Sequence, residues 1–196
     1  MPTRIAIFLF DQVEELDFAG PLEVLGMWAL YFPDDEIEVF TVAQAAGTIS
    51  CALGTRVIPD HTWDSAPDFD VLVYPGGVVT NSHIGDESIR AWVRKAADAG
   101  TLMTSVCSGA TVYADAGLLD GKPATTHWLV LDQLGHLGQD IEVRPDDRFV
   151  DAGDVITSAG VSAGIDMALH LIVRLKSADR AREVKRMIQY EPAPPV

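Results

Sequence analysis

Residues 104–110 read TSVCSGA, and Leu102 and Met103 lead into them. A β-prone apolar run that stops at Cys107 and is followed by Ser108-Gly109-Ala110 has the form of a buried strand turning abruptly into a helix. Cys107 then stands at the corner. A helix starting at Ser108 would aim its unpaired N–H groups and positive dipole end at the sulfur, lowering the thiol pKa toward thiolate. The turn would also lift the side chain above the sheet edge, as the nucleophile elbow of hydrolases lifts its serine. Free cysteine is equally one of the most buried residue types, and a small apolar side chain fills a tight bend well. The seven residues leave both readings open.

Outward from this corner, strand-like and helix-like segments alternate along the chain. Arg4–Phe10 is nearly continuous apolar, as a strand buried on both faces would be. Pro21–Tyr31 reads as a helix with proline at its first position, which turns Asp11–Gly20 into a loop. Glu36–Val42 alternates as a second strand, and Gly47–Pro59 holds two short β-prone runs around Leu53-Gly54, a hairpin pattern. Asp70–Tyr74 is a further buried strand stopped by Pro75-Gly76-Gly77. Ser88–Ala99 reads as an amphipathic helix, 101–106 as a strand, and helices are predicted from Ser108 and from Trp128. Short strands are predicted at Ala124–Thr126, Ile141–Val143, Arg148–Val150 and Val155–Ser158. Ser162–Leu175 and Ala178–Ile188 close the chain as helices. This alternation predicts an α/β protein, a mainly parallel sheet sandwiched by helices, over 1–196 as one domain. Ligands of such sheets sit beyond the carboxyl ends of the strands, which selects the loops at Asp11–Gly20, Pro75–Thr80 and Cys107–Gly109.

Composition excludes several function classes. The 196 residues carry 14 Lys and Arg against 29 Asp and Glu, a formal charge of −15. A backbone-tracking nucleic-acid binder needs clustered cations, and the one basic stretch, 174–186, interleaves Asp179 and Glu183 at the spacing of a solvated helix face. The apolar stretch Ile5–Phe10 is too short for a signal peptide or a span, and no run reaches the roughly 20 apolar residues a membrane helix needs. The two cysteines, Cys51 and Cys107, make no disulfide framework and suit a reducing, cytoplasmic compartment. Cys51 has no acid, base or glycine neighbour of note and reads as packing. The histidines show no metal-ligand spacing, and no phosphate-binding glycine loop is present, so neither a metal nor an organic cofactor is expected.

The residues that bear chemistry lie near the three loops. Backbone N–H groups of Gly76 and Gly77, with that of Ser108, would form an anion pocket; equally, two glycines can simply turn the chain. Asp17, in LDFAGP, is placed to exchange a proton near the sulfur, or to cap a helix. His127, in PATTHW, would complete a thiol–imidazole pair or act as a packed histidine. Leu16, Phe18, Val78, Trp128, Gly160 and Val161 read as pocket walls or core. Asp166, near the start of its helix, suits the dipole.

The segments LDFAGPLEVL (16–25), YPGG (74–77), SVCSGA (105–110), AGLLDGKPATTHW (116–128), SAGVSAGIDMAL (158–169) and QYEPAPPV (189–196) together resemble the ThiJ/PfpI superfamily, in order over essentially the whole chain. The resemblance implies a flavodoxin-like fold of the class I glutamine amidotransferase type. Within the superfamily the chain is most similar to the isonitrile (isocyanide) hydratases. That similarity implies Cys107 as nucleophile, Asp17 as acid–base partner, a cofactor-free conversion of isonitriles to N-substituted formamides, and a homodimer. Ser108 stands where the hydratases carry threonine, keeping the hydroxyl without the methyl. The ligand-sensing halves of AraC-type regulators share very similar segments. A chain that stops at Pro194-Pro195-Val196 is expected to lack their helix-turn-helix domain. Other relatives are cofactor-free glyoxalases, which place glutamate where Asp17 stands, and an oxidation or electrophile sensor using Cys107 is a further reading.

Overall fold

Thr3–Leu9 forms β1, and Ile5–Leu9 within it is buried on both faces, as a strand inside a covered parallel sheet must be. The chain continues through α1 (Glu15–Tyr31), β2 (Ile37–Ala43), β3 (Ile49–Ser50), β4 (Arg56–Val57), β5 (His61–Thr62) and β6 (Val71–Tyr74). Then follow α2 (Thr80–His83), α3 (Glu87–Asp98), β7 (Leu102–Val106), α4 (Gly109–Asp115), β8 (Pro123–Ala124) and α5 (Leu131–Leu137). The remainder is β9 (Glu142–Val143), β10 (Phe149–Asp151), β11 (Val155–Ser158), α6 (Ala163–Leu175) and α7 (Ala178–Met187). The structure is a computed structural model and describes residues 1–192; the end of the QYEPAPPV segment, 193–196, lies outside the described residues.

Seven strands form the central sheet in the order β10-β11-β7-β6-β1-β2-β5. All neighbours are parallel except β10 on β11. From β1 the chain moves one way to β2, whereas from β6 it moves the other way to β7. Right-handed crossovers therefore set α1 and α3 on opposite faces. α1 packs with α6 and α7 as one layer, and α4 meets α2, α3 and α5 in the other. The mainly parallel, helix-sandwiched sheet expected from the alternation is present. β3 and β4 are the antiparallel hairpin expected around Leu53-Gly54. No helix of the described residues is long and apolar enough to cross a membrane.

Two helix starts differ from expectation by more than one residue. The first helix starts at Glu15, and Pro21 lies inside it. Proline there removes the partner of the Asp17 carbonyl four residues earlier and crowds that carbonyl with its ring, a cost offset by the packing of α1 on α6. The shift moves Asp17 from a loop into the first helical turn. After His127 the chain makes a 3₁₀ turn, Trp128–Val130, before α5, and the His127 ring accepts the Leu129 N–H as its cap.

Candidate active site

β1 and β6 are neighbours from which the chain departs in opposite directions, so a crevice opens beyond their carboxyl ends. The segments that follow β1, β6, β7 and β11 converge there, carrying Asp17, Gly76-Gly77, Cys107-Ser108 and Gly160-Val161.

Cys107 takes a left-handed backbone, φ 57°, between β7 and α4. A side chain with a Cβ reaches this region at a cost, so the surroundings must hold it. The Cys107 N–H is shared between the carbonyls of Ser158 (3.2 Å) and Ala159 (3.1 Å), and its carbonyl accepts from Thr126 Oγ1 at 2.7 Å. Gly109 completes the turn: a Cβ on it would lie 2.3 Å from the Tyr74 carbonyl oxygen. The glycine two residues after the cysteine is thus dictated by the close pass of α4 over the end of β6.

Asp17 is wholly buried. Its Oδ2 accepts the Gly76 N–H at 2.8 Å, while Oδ1 has no hydrogen-bond partner. Burial, helped by the charge of Glu14, outweighs the Gly76 N–H and the neighbouring Cys107 thiol, and the carboxyl is pushed up to about 7. The Cys107 thiol is pushed up to about 12, by burial first and then by the charge of Asp17. The N–H groups of Val161 and Ser108 pull in the other direction and lose. The lowering expected from the helix start is therefore reversed. α4 has only seven residues, and the desolvation of a nearly closed site exceeds what its first turn supplies.

The glycine N–H groups are committed within the protein. That of Gly76 holds Asp17, and that of Gly77 donates to Ser108 Oγ at 3.1 Å. Thr80 Oγ1 lies 2.8 Å from Ser108 Oγ and 2.7 Å from the Gly77 carbonyl, closing a small hydroxyl network. The backbone N–H groups that face the sulfur are those of Ser108 and Val161. Val161 has φ 44°, an unfavourable value for a β-branched residue, and this turn delivers its N–H to the thiol. Gly76 admits no side chain, since a Cβ there would lie 2.7 Å from the Ser108 nitrogen and 2.8 Å from Asp17 Oδ2.

A cleft of about 310 Å³ opens onto Cys107. Val78, Leu129, Val130 and Val161 give it apolar walls, and Glu14, Thr80, Asn81 and His127 supply polar groups. His127 lies directly over Gly160, where a Cβ would come 2.3 Å from its Cδ2. Because His127 Nδ1 accepts the Leu129 N–H, the neutral ring carries its proton on Nε2. Of the remaining predicted walls, Phe18 is buried, Leu16 and Trp128 are exposed, and none of the three lines the cleft. Asp166 meets Arg148 and Tyr190 away from the site, and Cys51 is a packed, free thiol. Glu14, Thr80 and Thr126 also belong to the site; Thr80 lies three residues past the PGG turn and Thr126 beside the ATTHW histidine, positions at which a hydroxyl is ordinary in a sequence.

Residues 3–174 match the DJ-1/PfpI family, and the chain belongs to it. It is 38% identical over 195 residues to an isonitrile hydratase of Pseudomonas putida, covering 100% of this chain and 82% of that protein. It is 26% identical over 190 residues to the HTH-type transcriptional regulator GbdR of Pseudomonas aeruginosa, covering 97% of this chain but 51% of the regulator. The structure of a ThiJ/PfpI family protein from Pseudomonas syringae superimposes with a TM-score of 0.86 at 30% identity, over 100% of this chain and 78% of that one.

Proposed function

We propose that the protein is a cysteine-dependent hydratase that converts isonitriles to N-substituted formamides, with Cys107 as nucleophile and Asp17 as proton carrier. The observation that carries this reading is a buried carboxyl, with a pKa pushed up to about 7, beside a thiol that lines an apolar-walled cleft. A base of that strength is matched to proton transfer near neutral pH. The similarity to an isonitrile hydratase supports the choice of substrate.

Ionised Asp17 accepts the thiol proton as Sγ attacks the terminal isonitrile carbon, so no free thiolate need accumulate at a thiol of high pKa. Asp17 then delivers that proton to the carbon, leaving a neutral thioimidate, R–N=CH–S. Water adds across the C=N bond, its oxygen to carbon and one proton to nitrogen. The C–S bond breaks as the hydroxyl proton returns through Asp17 to sulfur, and R–NH–CHO departs. The N–H groups of Ser108 and Val161 hold developing charge at the sulfur. Thiol, carboxyl and water suffice for every step. A homodimer is part of the proposal, checked by sedimentation.

The test is formamide formation from a simple alkyl isonitrile, with Cys107→Ala as control. Turnover by the wild type lost in Cys107→Ala supports the reading; equal turnover in both overturns it. A sensing role is favoured by the similarity to half of a transcriptional regulator. Tight isonitrile or aldehyde binding with no product, including no lactate from methylglyoxal, would select that role. A thiol pushed up to about 12 weighs against an oxidation sensor, which needs thiolate.

A further inference from the structure

Glu14 and Glu15 are adjacent acids at the start of α1, yet their surroundings differ. Glu15 is consumed by the hairpin: its carboxylate accepts the Leu53 N–H at 2.8 Å and the Thr55 N–H at 3.3 Å. The Glu14 carboxylate makes no hydrogen bond or ion pair among the described residues, and it does not cap α1. It lines the Cys107 cleft instead. Among the described residues no lysine or arginine lines that cleft, and a second carboxyl, that of Asp17, is buried behind Cys107 with Oδ1 unpartnered. The backbone fixes Glu14 there, since its N–H donates to the Gly76 carbonyl at 3.0 Å within the same turn that holds Asp17.

We infer that Glu14 is a specificity-determining residue that selects substrates bearing a cationic group, an ammonium above all, and rejects anionic ones. An unpaired carboxylate at a narrow, partly apolar site creates a negative potential that water does not fully screen. Val78, Leu129 and Val130 accommodate the hydrocarbon between the ammonium and the reacting carbon, while the ammonium supplies the counter-charge that no protein side chain provides. A cation bound beside Glu14 also offsets its repulsion of Asp17, so the ligand's charge is coupled to the proton carrier. A carboxylate or phosphate in the same position meets Glu14, Asp17 and an overall charge of −15. The choice of an isonitrile as reacting group rests on the proposed function; the charge preference of the cleft does not.

Two measurements separate them. The first compares the rates at which a cationic and an anionic methanethiosulfonate of similar size modify Cys107, followed by mass spectrometry of its peptide so that Cys51 is not counted. Divided by the same ratio for a free thiol, the wild-type preference is expected to favour the cation. Glu14→Gln, nearly isosteric and without a capping bond to lose, is expected to reduce that preference by about tenfold at low ionic strength. The second compares kcat/KM for two isonitriles that differ only in an ammonium against an isosteric neutral group, with the ammonium favoured by the wild type and the advantage lost in Glu14→Gln. Equal reagent ratios in the two proteins, or a Cys107 that neither reagent reaches, overturns the inference. No turnover of either isonitrile alongside an intact reagent preference overturns the proposed function and leaves the charge selection standing.

Discussion

Gly76 donates its N–H to Asp17 Oδ2 at 2.8 Å, and the same glycine presents its carbonyl to the N–H of Glu14 at 3.0 Å. A single glycine in the turn after β6 thereby positions both the buried carboxyl and the half-buried residue that carries the other. This double role fixes the position of the carboxyl proposed as the proton carrier.

Asp17→Asn retains an acceptor for Gly76 while removing the base. Turnover is expected to fall by about 10²–10⁴-fold, the usual contribution of a positioned acid–base group. Because the charge of Asp17 helps hold the Cys107 pKa up, that pKa is expected to drop in the variant. The pH dependence of Cys107 alkylation by iodoacetamide reads this directly, and an unchanged or higher thiol pKa would contradict the pairing.

Activity should depend on ionised Asp17. Kcat/KM is expected to rise with pH through about 7, and this limb should vanish in Asp17→Asn. Stability has the opposite sign. A carboxyl whose folded pKa lies above its unfolded value of about 3.9 keeps the folded state richer in protons, so unfolding free energy declines as pH rises from there to the folded pKa. The wild type is expected to lose stability relative to Asp17→Asn between pH 4 and pH 8, by up to about 4 kcal/mol. Urea unfolding of both proteins across that range measures the difference and cancels titrations common to both, such as that of His83.

Gly160 and Gly26 provide a matched pair. An alanine at 160 would drive into the His127 ring, whereas one at 26, inside α1, meets nothing within 4 Å. Gly160→Ala is expected to destabilise by about 1–3 kcal/mol and to displace the imidazole from the cleft. Gly26→Ala is expected to stabilise by about 0.5–1 kcal/mol through helix propensity and unfolded-chain entropy. Thermal melts read both, and the histidine proton resonances report the His127 displacement.

Asp35 fastens the last helix to the first. Its carboxylate accepts from Trp28 Nε1 (2.7 Å) and Arg180 Nε (2.6 Å), with Lys176 Nζ at 2.8 Å, and its side chain is 3% exposed. The cations and the indole hold its pKa well below the usual carboxylate range. Such a group stabilises the fold above its unfolded pKa and stops doing so as pH falls through the depressed value. Asp35→Ala is expected to cost about 1–3 kcal/mol at pH 7, because the buried Trp28 Nε1–H loses its acceptor and Lys176 and Arg180 lose their shared carboxylate, Arg180 keeping only Glu183. The cost should shrink in strongly acidic solution, which denaturant titrations at pH 7 and pH 2 can check.

Much of this architecture was legible in the chain. The apolar runs of β1, β6 and β7 are readable because a doubly covered parallel strand excludes polar residues, and PGG and CSG mark where such strands must stop. The start of α1 was not: Pro21 carries the signature of a first helical position, and only its tertiary setting shows a helix already under way. The direction of the Cys107 pKa is hidden in the sequence for a related reason. Proximity to a helix start is a local property, whereas desolvation depends on how completely four separate loops close. Glu14 and Thr80 gave no signal of their own, since an acid or a threonine at a turn is ordinary until the fold brings it to a sulfur.

The hydroxyl and amide network around Gly76, Gly77 and Ser108 joins residues 59 and 31 positions apart in sequence. Such bonds form only after β1, β6 and β7 have taken their places, and the carbonyls that hold the Cys107 N–H come from the end of β11. Long-range closures of this kind carry the largest chain-entropy cost and are made late. Alkylation of Cys107 is therefore expected to be faster in the refolding chain than in the folded protein, where the sulfur lies at the floor of the cleft, and to settle to its native rate as β11 docks.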